Sequence, residues 1–286
     1  MSPMAGQISP RGEVKTMYVI YSPKGKAAEY GALAANPYRN CGHGCIYCYV
    51  PQLFRCAPEE FNRPATLRPG FLERLEKDAK SMQAKHDTRE IVMAFTCDPY
   101  HPGDTSATRE AIKILIAHGL HFTVLTKGGT RAVRDFDLMR LHRTLSHDNT
   151  WLGQAKCRFG TTLTFSDPEL SFKYEPGAAA PTDRVTALRL AAEAGIPTWV
   201  SCEPVLFPSE TLKIMEFAMP YVWEFRIGAT NYVSEIQKRM PLYQAPTRLE
   251  MTEFVYKVQE LLKDRPKNRL IWKESMRPYL DAAGVP

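Results

Sequence analysis

No apolar run in the 286-residue sequence approaches the roughly 18 residues that a membrane-crossing helix needs. The opening segment, MSPMAGQISPRGEVK, lacks the apolar stretch of a secretory signal. Past residue 16 there is no linker rich in Gly, Ser or Pro, and no repeat at solenoid spacing, which argues against a string of modules. Neither sign of charge is in large excess, with 37 basic and 31 acidic residues. The net value of +6 biases the surface mildly toward polyanions but falls short of a dedicated nucleic-acid footprint. Cysteine is sparse, at seven residues. An odd number without an export signal excludes a disulfide framework and points to metal binding or chemistry in a reducing compartment. The expectation is a soluble, cytoplasmic protein with no membrane partner. Residues 1–16 are polar and aperiodic and read as a flexible tail. Residues 17–286 read as a single domain.

Apolar residues make up 44% of the chain, enough for a substantial core. Short, mostly apolar runs recur at 90–96, 121–126, 158–165, 197–202 and 222–228. They read as strands buried on both faces. Helical spacing fills the intervals. Leu72, Leu75, Ala79 and Met82 share a face, as do Ile112, Leu115 and Ile116, which end at Gly119. Leu138, Leu141 and Leu145 follow, then Val185, Leu188 and Ala192 before Gly195. With one more strand near 28–35, six strand–helix units result. The fold class is therefore α/β, a partial (β/α)6 barrel of TIM type, with chemistry expected at the C-terminal ends of the strands. Residues 229–286 are expected to form a helical extension.

Three of the seven cysteines stand in NPYRNCGHGCIYCY at positions 41, 45 and 48. Closed zinc sites take four ligands. No fourth cysteine follows at suitable spacing, and His43 lies between two of the three. The alternative is a [4Fe–4S] cluster tied at three irons with the fourth left open. Gly42 and Gly44 would let the loop wrap a bulky group.

The segment CGHGCIYC matches C-x3-C-x-aromatic-C and resembles the radical S-adenosylmethionine (SAM) superfamily. The wider match NPYRNCGHGCIYCYV is similar to the branch containing spore photoproduct lyase. So are FTCDPYHPGD, VLTKGGTRAVRDFDLM and TTLTFSDPELSFKYEPGAAAPTDRVTALRLAAEAGI, in order over residues 30–208. The resemblance implies an enzyme that cleaves SAM reductively to a 5′-deoxyadenosyl radical, which takes hydrogen from substrate. It implies Cys41, Cys45 and Cys48 as cluster ligands, and an external electron donor of flavodoxin or ferredoxin type. It places Tyr47 against the adenine, Thr96 and Asp98 near the SAM amino group, and Lys127 near its carboxylate. Thr162 and Thr164 would meet the ribose. Glu175 and Arg184 would form a charge pair or a second clamp on SAM, with an ordinary surface ion pair as the plain alternative. Cys97 would return hydrogen to a product radical, or be a small buried strand-end residue.

Substrate residues belong at the mouths of the later strands, where Glu203, Arg226, Asn231 and Tyr232 are candidates. Trp199 and Trp223 suit either base stacking or the core. The branch suggests a nucleobase or nucleic-acid substrate. A non-catalytic zinc- or iron–sulfur-binding module that contacts nucleic acid is the alternative.

Overall fold

A computed structural model describes residues 18–144, 156–265 and 268–285. The expected tail at 1–16 and the expected core position Leu145 lie outside the described residues. The strands are β1 (Ile20–Tyr21), β2 (Leu33–Ala35), β3 (Tyr38–Arg39), β4 (Thr66–Leu67), β5 (Ile91–Met93) and β6 (Phe122–Thr126). After these come β7 (Cys157–Thr162), β8 (Thr198–Val205), β9 (Glu224–Ala229) and β10 (Arg269–Trp272). One sheet runs β1-β2-β5-β6-β7-β8-β9-β10, and β3 pairs separately with β4. Only the β1–β2 edge of the large sheet is antiparallel. The fold class is thus α/β with a mostly parallel sheet, a partial barrel.

Among the described residues seven parallel strands appear where six were expected. The seventh, β10, lies within the stretch read as a helical extension. That stretch also carries helices Val233–Arg239, Arg248–Leu262 and Arg277–Ala282. β10 pairs in register with β9, Arg269 opposite Glu224 and Trp272 opposite Ile227. The first parallel strand is shorter than the expected 28–35, because Gly25–Glu29 winds as a 3₁₀ turn and the strand begins only at Leu33. β7 ends at Thr162, so Thr164 lies beyond the strand.

The strands are buried because their apolar side chains meet helices outside and one another inside. Val92, Val124, Val200 and Phe225 are fully buried, each contributing about 1.5–3 kcal/mol relative to exposure. Helix Phe71–Ala84 buries Leu75, Ala79 and Met82, as its spacing predicts. Helix Ser106–Ala117 buries Ile112 and Leu115, then stops where Gly119 takes φ +65°. Helix Phe136–Thr144 departs from the expected pattern, since Leu141 is more than half exposed. A second cluster, Phe165, Tyr174, Leu206, Ile236 and Tyr243, packs against Ile46 and Tyr47 and so supports the cysteine loop from above the strands. No helix among the described residues is long and apolar enough to cross a membrane.

Candidate active site

The cysteine loop sits at the C-terminal edge of the sheet, between β3 and helix Val50–Phe54. Its backbone is held from several sides. The Ile46 N–H donates to the Tyr174 carbonyl at 2.8 Å, and the Gly177 N–H donates to the His43 carbonyl at 2.8 Å. Arg239 donates to the Ile46 carbonyl at 2.7 Å. Gly42 and Gly44 take φ +74° and +66°, a region where other residues are strained. A Cβ at Gly177 would stand 2.4 Å from the Gly42 carbonyl, so only glycine lets the two segments approach.

His43 does not act as a fourth ligand in this arrangement. Its Nδ1 faces Asp98 Oδ2 at 3.5 Å and its Nε2 faces Arg131 at 3.4 Å. Burial pushes the imidazole down to about 4, so it is neutral near pH 7. Asp98 is the knot of the site. Its carboxylate accepts from Thr126 Oγ1 at 2.5 Å, the Lys127 N–H at 2.7 Å and the Tyr100 N–H at 2.8 Å. Burial alone would raise Asp98, but His43 and these donors outweigh it and leave the group below its ordinary value. Asp98 therefore ties the ends of β5 and β6 to the cysteine loop.

A cavity of about 520 Å³ opens between the loop and the strand ends. Cys41, Cys45 and Cys48 line it, all three as free thiols. Tyr47, Thr96, Cys97, Asp98, Lys127 and Thr162 share this side of the wall. Glu203, Asn231 and Tyr232 line the other side. Thr164, Glu175, Arg184 and Arg226 are not part of the lining. Thr164 is excluded because the chain has left the strand, and its hydroxyl faces Glu175 at 3.4 Å. Glu175 and Arg184 are a buried ion pair, neither a surface pair nor a lining clamp, and the Tyr47 hydroxyl donates to Glu175. They stand behind Tyr47 and fix its ring. Arg226 lies below the cavity, 4.8 Å from the Trp199 ring, and donates to the Tyr30 carbonyl at 2.6 Å. Trp199 is fully buried in the barrel interior, and neither it nor Trp223 lines the cavity.

The donor set fits what an iron–sulfur cluster and SAM require. Burial pushes the Cys45 thiol up to about 12, and Cys41 and Cys48 also lie above their usual range. Thiolates here need a bound cationic centre. Thr96 Oγ1 is buried without a hydrogen-bond partner. The Lys127 ammonium lies 5.6 Å over the Tyr47 ring and forms no ion pair among the described residues. Burial opposes its charge, but attraction to Cys45 when that group is a thiolate, and to the Glu175 carboxylate, outweighs burial and raises Lys127 above its ordinary value. A buried polar atom and an unpaired ammonium in one wall are the groups an amino-acid ligand would satisfy.

Sequence reasoning missed three residues of the far wall, Tyr30, Ser201 and Lys273. Ser201 could have been found, since it ends an apolar run. Tyr30 and Lys273 carry no local signal and meet only through the topology.

The sequence matches the family model "Radical SAM superfamily" over residues 35–219. No curated protein matches it. Among solved structures, a spore photoproduct lyase variant superposes with TM-score 0.68 at 14% identity, covering 91% of this chain and 81% of that one. Another variant of that lyase, with a dinucleoside spore photoproduct, gives 0.65 at 13%, covering 89% and 79%. Streptococcus suis SuiB bound to S-adenosylmethionine gives 0.59 at 10%, covering 84% of this chain and 49% of SuiB. The chain thus spans about half the length of SuiB. At these identities the structures speak to fold alone, whereas the family model covers well over half of the chain. Together with three thiols converging at the open end of a parallel partial barrel, that match means the chain belongs to the radical SAM superfamily and is an enzyme.

Proposed function

We propose that the protein holds a [4Fe–4S] cluster on Cys41, Cys45 and Cys48, binds SAM beside it, and takes hydrogen from a nucleobase or nucleotide in the same cavity. The observation that carries this reading is the convergence in one wall of three thiols, the unpartnered Thr96 hydroxyl and the Lys127 ammonium. Reduced by an external flavodoxin- or ferredoxin-type donor, such a cluster supplies the electron that splits SAM and yields a 5′-deoxyadenosyl radical.

The chain's own residues orient and enclose. Lys127 meets the SAM carboxylate as a point charge. Thr96 and Asp98 offer oxygens to the amino group, and Thr162 one to the ribose. Tyr47 presents its ring to the adenine, with its hydroxyl fixed by Glu175 and that carboxylate in turn fixed by Arg184. A nucleobase substrate is supported by the aromatic side chains in the lining, among them Tyr49 beside the cysteine loop and Tyr232 across from it. The net charge of +6 is compatible with it.

Anaerobic purification and reconstitution test the reading. The expected product is a brown protein with about four irons and four sulfides per chain. On reduction it should release 5′-deoxyadenosine from SAM. Deuterium should move from a labelled nucleoside or oligonucleotide into that product. A colourless protein with one zinc, inert toward SAM, would overturn the proposal.

A further inference from the structure

The cavity wall formed by β8 and β10 holds a charged cluster to which the SAM contacts proposed above assign no role. Glu203 lies in the register shift of β8 between Cys202 and Val205, Lys273 follows β10, and Tyr30 precedes β2. Lys273 Nζ lies 2.5 Å from Glu203 Oε2 and 3.8 Å from the centre of the Tyr30 ring. The Tyr30 hydroxyl donates to the same Oε2 at 2.5 Å and shares a 2.7 Å hydrogen bond with Ser201. Lys273 is 4% exposed, too buried to be an incidental surface cation.

The arrangement is asymmetric. Both donors converge on Oε2. Oε1 carries no hydrogen bond among the described residues, while the side chain keeps 15% exposure and lines the cavity. Gly228 makes room for it, since a Cβ there would lie 2.8 Å from the Glu203 carboxyl carbon. Tyr30 is itself braced from below, because Arg226 binds its carbonyl and stands 5.6 Å from its ring. The carboxylate is therefore oriented by its surroundings before any ligand arrives, which lowers the ordering cost of binding.

We propose that Glu203, clamped by Lys273 and Tyr30, reads the substrate: Oε1 accepts a hydrogen bond from an uncharged ring or amide N–H of the substrate. The proposal rests on the radical-enzyme reading above and adds the chemical class that its cavity selects. The Glu203–Lys273 pair is neutral overall, so an anionic group placed at Oε1 itself would meet a carboxylate, whereas Lys24, Lys26 and Lys127 offer positive charge elsewhere in the lining. A cation is not required either, because Lys273 already balances Glu203. A neutral N–H donor satisfies the remaining oxygen without introducing charge. Tyr232, half exposed in the same lining, is the aromatic side chain left to meet a flat ligand, since Lys273 and Arg226 already lie over the Tyr30 ring. Discrimination of this kind is steep, because a ligand lacking the donor leaves a desolvated carboxylate oxygen unpaired.

The test uses the reconstituted protein with SAM present and two probes, thymidine and N3-methylthymidine, which differ in the ring N–H. Binding is read by calorimetry. Wild type is expected to bind thymidine about tenfold or more tightly than the methylated probe. Glu203→Gln should abolish that preference, and Lys273→Met should reduce thymidine affinity. Tyr30→Phe, which removes one donor to Oε2 and little bulk, should weaken binding while keeping the preference. It is the arm to read if Lys273→Met fails to fold. Iron content, measured on every variant, separates loss of recognition from loss of structure. If wild type treats the two probes alike, or binds neither, the proposal is overturned. The same holds if Glu203→Gln keeps the preference. A protein that carries no cluster and leaves SAM intact fails the radical-enzyme reading instead, and iron analysis and 5′-deoxyadenosine release detect that separately.

Discussion

Arg184 Nη2 lies 2.5 Å from Glu175 Oε2, and neither side chain is more than 1% exposed. The guanidinium also donates to the Thr162 carbonyl at 3.0 Å and the Ala179 carbonyl at 2.7 Å. The pair thus joins the end of β7 to the helix beneath it and to Tyr47. Removing one partner strands the other charge in the interior, at a cost of about 3–5 kcal/mol. Arg184→Met should lower the melting temperature by on the order of 10 °C. The double variant Glu175→Gln/Arg184→Met should lose less than the sum of the two single changes. A shift of only about a degree in calorimetry for Arg184→Met would contradict the burial argued here.

Glu210 offers a pH-dependent handle on the loop after β7. One carboxylate oxygen accepts from the Ser166 hydroxyl, the Ser166 N–H at 3.1 Å and the Asp167 N–H at 2.9 Å. Lys213 lies 3.0 Å from the other. Burial would raise the group, but these donors outweigh it and hold it down at about 2. A depressed carboxylate contributes stability that is complete above its unfolded value of about 4.3 and is lost as pH falls toward the folded value. The gap in melting temperature between wild type and Glu210→Gln should therefore be constant from pH 7 to about 5 and close between about 4.5 and 2. A gap independent of pH over that range would show that the carboxylate charge plays no part.

The parallel strands were legible because each is a short apolar run, buried on both faces, between amphipathic helices. The cysteine loop was legible because its chemistry is written in the spacing of Cys41, Cys45 and Cys48, four residues and then three. Other features were hidden for physical reasons. β10, Arg269–Trp272, is only partly buried and follows a charged stretch, so no apolar run announces it. Thr164 was read as a strand residue, but pairing between β7 and β8 ends at Thr162 opposite Ser201. Glu175 and Arg184 were legible as a pair, but their burial depends on the second apolar cluster closing over the loop. Tyr30 and Lys273 were invisible. Nothing local distinguishes them, and they meet because β10 adds to the sheet beside β9 while the chain's first turn crosses the same strand ends.

Lys127 separates ligand binding from folding. Its ammonium has a ring beneath it and no ion pair among the described residues, so Lys127→Met breaks no direct polar contact of the fold. A charge-assisted contact to a carboxylate is worth about 1.5–3 kcal/mol. Lys127→Met should therefore weaken SAM binding by about tenfold or more while the melting temperature of the SAM-free protein holds. Equilibrium dialysis with labelled SAM measures the first and calorimetry the second. Unchanged SAM affinity would remove Lys127 from the binding site.

Cys97 poses a chemical question that its geometry sharpens. The residue lines the cavity yet is only 8% exposed, on the side of Tyr38 and Ala94. Burial pushes its thiol up to about 12, so it stays protonated at neutral pH. A protonated, water-poor thiol is a weak nucleophile and a weak metal ligand. It is, however, in the form that gives a hydrogen atom to a carbon radical; the thiyl radical left behind regains the thiol with one electron from the external donor and one proton from solvent, and the S–H exchanges with solvent when the cavity is open. Product formed in D2O should therefore carry deuterium at the position of the quenched radical. Cys97→Ala should keep its iron and its release of 5′-deoxyadenosine but lose that deuterium, with slower turnover or a diverted product. If the variant forms the same product at the same rate with the same label, Cys97 is packing alone and hydrogen returns by another route.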